Sequence, residues 1–91
     1  MAESGFRVTG RVQGVGYRWW ARAQAIRLGL AGAVWNADDG SVEVHARGSD
    51  AALAELERLL AQGPPHARVA QVERIPASLS AGGAAGFQIV R

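Results

Sequence analysis

Gly10-Arg11-Val12-Gln13-Gly14-Val15-Gly16-Tyr17-Arg18, residues 10–18 of this 91-residue chain, is the stretch that decides the fold. It joins an alternating segment to a helical one through a glycine turn. Upstream, Phe6, Val8, Gly10 and Val12 alternate with Arg7, Thr9 and Arg11, the period of a strand with one buried face. Downstream, Tyr17, Ala21, Ala25 and Leu28 recur at helical spacing and Gly29 stands ready to end the helix. A strand over 6–12 and a helix beginning near Gly16 are expected.

The turn lacks what a helix start normally carries. The first four backbone N–H groups of a helix have no internal partner, and a Ser, Thr, Asp or Asn usually caps them. Here the cap positions offer Gln13, Gly14, Val15 and Gly16. Arg18 then puts a cation in the first turn, against the helix dipole by about 0.3 to 1 kcal/mol at an exposed site, and Arg22 adds a like charge one turn on. A phosphate would resolve both conflicts, since it accepts from the open N–H groups and pairs with the guanidinium fork. Glycines let the backbone approach it closely. On glycine pattern alone, a plain strand-to-helix turn reads equally well.

Nucleotide motifs do not fit. A dinucleotide fingerprint needs a third glycine where Trp19 stands, and a nucleotide P-loop needs a lysine, of which the chain has none.

Working outward, Leu30 to Asn36 reads as a second strand, Asp39-Gly40 as a hairpin turn, and Val42, Val44 and Ala46 alternate with Glu43, His45 and Arg47 in a third strand. Ser49 or Asp50 caps a second helix that shows Leu53, Leu56 and Leu60 on one face before Gly63-Pro64-Pro65. A fourth strand over 68–75 has Val69 and Val72 on opposite faces, which calls for a bulge or an offset start. The small-residue stretch 76–86 reads as a mobile loop, and Phe87 and Ile89 share one side of a short closing strand. Of Trp19 and Trp20, one is expected buried and one partly exposed. The order strand, helix, strand, strand, helix, strand, plus a closing strand, gives an α+β ferredoxin-like βαββαβ sandwich, mainly antiparallel, with both helices on one face. Length limits the chain to one domain, 1–91.

Composition narrows the function classes. Ten basic residues, all arginine, face eight acidic ones for a net charge of +2, without blocks of like charge; nucleic acid is not an expected partner. No cysteine means no disulfide, thiolate zinc site or cysteine nucleophile. The opening M-A-E-S-G is no apolar leader, and no apolar run nears the ~20 residues of a membrane span. A soluble, cytoplasmic protein is expected, without membrane contact and monomeric.

Two stretches resemble signatures of the acylphosphatase family, enzymes that hydrolyse the carboxyl-phosphate bond. Residues 10–18 look like the family's phosphate loop, and Gly32, Asn36, Gly40, Val42 and Gly48 follow its hairpin signature; 86–89 look like its closing strand. Ala33 and Trp35 depart from the usual aromatic and long polar residues of that hairpin. The resemblance implies that Arg18 and the backbone of the loop, Gln13, Gly14, Val15, Gly16, Tyr17 and Arg18, bind the phosphoryl group, and that Asn36 orients the attacking water. It implies acyl phosphate as substrate, inorganic phosphate as product, and no metal or cofactor.

Other candidates read more simply. Asn36 alone is a residue ending a strand before a turn, where Asn commonly bonds local backbone. Asp38 and Asp39 suit turn formation. His45, expected on a polar strand face, and His66, beside Pro65, lack metal-ligand spacing. No serine has nucleophile-elbow context. Two rivals remain: an RNA-binding sheet, for which only Trp35 offers a stacking surface, and a phosphate-ligand-sensing or carbamoyl-phosphate-handling domain of the same fold.

Overall fold

The structure, a computed structural model, describes residues 2–78 and 86–90. Its elements run β1 (Ala2–Arg11), α1 (Tyr17–Arg27), β2 (Ala31–Asn36), β3 (Val42–Gly48), α2 (Asp50–Gln62), β4 (Arg68–Ile75) and β5 (Phe87–Val90). One five-stranded sheet has the order β4-β1-β3-β2-β5. The β1–β3, β1–β4 and β2–β3 pairs are antiparallel and β2–β5 is parallel. This is the ferredoxin-like α+β fold expected from the alternation.

The apolar positions of the strands meet both helices on one side of the sheet. Phe6, Val8, Val34, Val42, Val44, Ala46 and Phe87 are buried with Tyr17, Ala21 and Ala25 of α1 and Leu53, Leu56 and Leu60 of α2. Each buried large apolar side chain contributes about 1.5 to 3 kcal/mol. Ser49 caps α2 by accepting from Ala52 N–H at 3.1 Å, and Gly63 ends it.

The expected bulge lies in β4. Thr9 pairs with Gln71 but Gly10 with Val69, so Ala70 is the extra residue. Gly10 sits at φ +122° there, and a Cβ would run into the Arg68 carbonyl. The first glycine of the 10–18 stretch therefore serves strand packing.

Two expectations need correction. Strand β1 begins at Ala2, not Phe6, because Ala2 to Gly5 pair with Gly48 to His45 of β3, although their own sequence lacks apolar alternation. His45 does lie on the face away from the helices, but it is only 1% exposed. Its ring stacks on Trp35 at 4.5 Å and 5° and lies over Gly5, whose hydrogen leaves the room. Ser78 N–H donates to Nδ1 at 2.9 Å, so Nε2 carries the ring proton and faces Glu43 Oε1 at 2.9 Å. Arg7 Nη2 stands 3.5 Å from the other oxygen of Glu43. Trp35 thus fills the side of the sheet that Ala33, opposite His45, leaves bare. Most of the 76–86 stretch, residues 79–85, lies outside the described residues. Replacing His45 by alanine is expected to lower unfolding free energy by about 2 to 4 kcal/mol, measured by urea denaturation, since it empties a packed site and frees Ser78.

Candidate active site

Residues 12–16 turn the chain from the sheet layer into the helix layer. Both ends of the turn are anchored: Val12 is buried in the core, and the buried Tyr17 donates its hydroxyl to Leu60 O at 2.7 Å. Between them the sign of φ alternates. Gly14 and Gly16 stand at +76° and +77°, while among the described residues no non-glycine has positive φ. Such alternation turns successive amides toward one concavity, the geometry of an anion nest. A Cβ on Gly14 or Gly16 would meet nothing within 4 Å, so glycine is needed here for its left-handed φ and not for close packing.

The helix start is as bare as its sequence. Gly16 is the N-cap, no side chain among the described residues caps α1, and its first turn has no acidic residue. The first bond of the helix runs from Trp20 N–H to Gly16 O at 3.1 Å. Among the described residues, the amides of 14–19 donate to no other backbone carbonyl or capping side chain. Arg18 is half-buried and forms no ion pair among the described residues. Open amides, a positive dipole end and an unpaired guanidinium together suit a multiply charged oxyanion.

Gln13 has a second role that the sequence did not disclose. Its side-chain amide donates to Ala37 O at 2.9 Å and to Ser41 O at 3.0 Å. The turn is thereby tied to the β2–β3 hairpin one residue past Asn36. Gln13→Ala removes both bonds, while Gly40 N–H and Ala37 N–H still serve the two carbonyls. The expected stability loss is therefore only about 1 to 2 kcal/mol. Turnover is expected to fall further, by about 10- to 100-fold, because small misplacements of reacting groups are expensive; chemical denaturation beside steady-state kinetics separates the two.

Asn36 is the last residue of β2, opposite Val42, and shares the helix-facing side of the strand with the buried Val34. It is exposed, and its side chain has no hydrogen bond among those found in the described residues. The local-backbone role open to it on sequence grounds is not taken. Asp39 takes that role instead: its Oδ1 accepts from Ser41 N–H at 3.0 Å and Ser41 Oγ at 2.6 Å, and these bonds hold its carboxyl below the usual carboxylate range. Among the described residues, no three His, Cys, Asp or Glu cluster as metal ligands would.

Tyr17 supplies the loop only with its amide, because its ring points into the core and tilts against Trp20 at 5.4 Å. Burial pushes its phenol far above the ordinary tyrosine range. Unfolded tyrosine ionises near pH 10, whereas the folded phenol stays protonated well beyond it. The stabilisation is therefore complete below about pH 10 and declines as pH rises above it. With one tyrosine, no cysteine and no lysine, absorbance of the tyrosinate between pH 9 and 12 reads this group directly. It is expected to stay flat until the chain unfolds, and Tyr17→Phe is expected to remove the alkaline loss of stability.

The sequence and the fold match those of known proteins. The family model described as Acylphosphatase matches residues 5–89. The chain is 49% identical to an acylphosphatase of Rhizobium meliloti over 85 residues, 93% of this chain and 88% of that one. It is 49% identical to one of Acidothermus cellulolyticus over 82 residues, 88% and 78% of the two chains. The crystal structure of acylphosphatase from Bacillus subtilis superposes with a TM-score of 0.90 at 37% identity, covering all of both chains. The uncapped glycine turn and the hairpin clamped to it are thus seen in a chain that, over nearly its whole length, belongs to the acylphosphatase family.

Proposed function

We propose that this protein is an acylphosphatase: it hydrolyses the carboxyl-phosphate bond of small acyl phosphates to a carboxylate and inorganic phosphate. The observation that carries the reading is the alternating-φ turn at Gly14 to Tyr17, which opens an uncapped helix beside an unpaired Arg18. The amides of residues 14–18 and the guanidinium of Arg18 hold the phosphoryl oxygens. Asn36, whose side chain has no hydrogen bond among the described residues, accepts from a water and directs it at phosphorus without placing an anion beside the phosphate.

The water oxygen forms the new bond to phosphorus as the bond from phosphorus to the acyl oxygen breaks. The electron pair leaves on the carboxylate, and the water proton ends on a phosphate oxygen. A carboxylate is a weak base and departs without a strong general acid, so positioning and charge stabilisation suffice. The residues proposed for catalysis include no nucleophile and no metal ligand.

The sensing-domain alternative is not favoured, because the curated relatives at about 50% identity and the Bacillus subtilis structure are acylphosphatases of about this chain's length. We also read 1–91 as one functional unit, acting as a cytoplasmic monomer. An RNA platform is left with at most one face of Trp35 for stacking, since the other is taken by His45. Hydrolysis of benzoyl phosphate in oxygen-18 water tests the chemistry: the label is expected in phosphate, and label in benzoate would overturn attack at phosphorus.

A further inference from the structure

We propose that the acyl part of the substrate lies in the groove between α1 and β5, and that Trp19 makes this site favour aromatic acyl groups. The proposal rests on the acylphosphatase reading above. The groove holds about 370 Å³ and is lined by Trp19, Arg22, Phe87, Gln88 and Ile89, a size within the ~300–1,000 Å³ of small-molecule sites.

The groove lies next to the phosphate turn along α1 and across the sheet. Trp19 follows Arg18 directly in α1. On the sheet side Ile89 is opposite Val34, two residues from Asn36, so their Cα atoms stand about 8 Å apart by strand spacing. Ile89 and Asn36 both face the helices. In-line displacement needs the water and the leaving oxygen on opposite sides of phosphorus. Water held by Asn36 approaches from the sheet layer, so the acyl oxygen points toward the helix layer, where Trp19 stands.

The lining suits a flat apolar group. Tyr17 is buried and Trp20 half-buried against the core, but Trp19 is 62% exposed and stands in no aromatic pair among the described residues. Single exposed hydrophobics are common; what singles this one out is its place over the groove beside Arg18. Arg22 Nε donates to Phe87 O at 2.9 Å, which closes the seam between α1 and β5 and holds the guanidinium plane at the groove. Trp19 and Arg22, three residues apart on α1, share the helix wall of the groove, and an indole and a fixed guanidinium are the two groups that stack best on an aromatic ring. An acetyl group is too short to use either.

The test compares kcat/KM for benzoyl phosphate and acetyl phosphate in the wild type, Trp19→Ala and Ile26→Ala. Ile26 is also exposed on α1 but lies outside the groove. In the wild type the ratio is expected to favour benzoyl phosphate. In Trp19→Ala it is expected to fall about tenfold or more, mostly through KM, as loss of apolar contact does. In Ile26→Ala it is expected to stay within about twofold of the wild type. A ratio in Trp19→Ala within twofold of the wild type would overturn the proposal, as would an equal shift in Ile26→Ala. A wild type that hydrolyses neither compound would instead bring down the acylphosphatase reading, and the groove's role with it.

Discussion

Arg18→Ala is expected to lower kcat/KM for acyl phosphates by about 10³-fold or more, near 4 kcal/mol of transition-state stabilisation, and to abolish inhibition by inorganic phosphate. Both effects follow from one geometry. The guanidinium is the only charged donor within the 10–18 stretch besides Arg11, which is exposed at the end of β1 before the turn. Without Arg18 the open amides remain but the charged, two-pronged donor beside them is gone. The fold is expected to survive, because Arg18 makes no ion pair among the described residues and its charge opposes the α1 dipole. Its loss leaves stability unchanged or raises it by about 0.3 to 1 kcal/mol. Arg18→Lys is expected to recover only part of the activity, since lysine keeps the charge but not the two-pronged grip. Thermal unfolding beside steady-state kinetics checks both halves; full activity in a folded Arg18→Ala would remove Arg18 from the site.

Asn36→Ala is the second large effect, and of a different kind. Its side chain positions water and does not hold phosphate, so kcat is expected to fall by about 10² to 10³. KM and the inhibition constant for phosphate are expected to change only a few-fold. Stability is expected to stay within about 0.5 kcal/mol, because Asn36 is exposed and its side chain has no hydrogen bond among the described residues. Asn36→Asp is expected to be no better than alanine, since a carboxylate there repels the phosphoryl oxygens. A loss of phosphate inhibition in Asn36→Ala, with kcat retained, would reverse the two assignments.

Much of this was legible because local rules and tertiary structure agree. Alternation in Phe6, Val8 and Val12, and in Val42, Val44 and Ala46, located two strands and their buried face. Leucine spacing located α2, and the conflict between Arg18 and an uncapped helix pointed to the turn. What escaped the sequence is set by distant partners. Burial of His45 depends on Trp35 and on Ser78, 33 residues away, which cover a strand face whose own pattern is polar. The clamp made by Gln13 reaches carbonyls 24 and 28 residues on, and a glutamine in a glycine turn carries no mark of that use. The start of β1 at Ala2 follows from pairing with β3, not from its own residues. The closing strand β5 was legible from Phe87 and Ile89, but its four residues are too few to reveal a parallel partner.

The most direct test of the central claim is hydrolysis of benzoyl phosphate by the wild type and Arg18→Ala in EDTA, with inorganic phosphate added as inhibitor. The expected result is turnover by the wild type, competitive inhibition by phosphate, and neither in Arg18→Ala. Phosphate binding without turnover in the wild type would contradict the account and indicate a domain that senses its ligand without hydrolysing it.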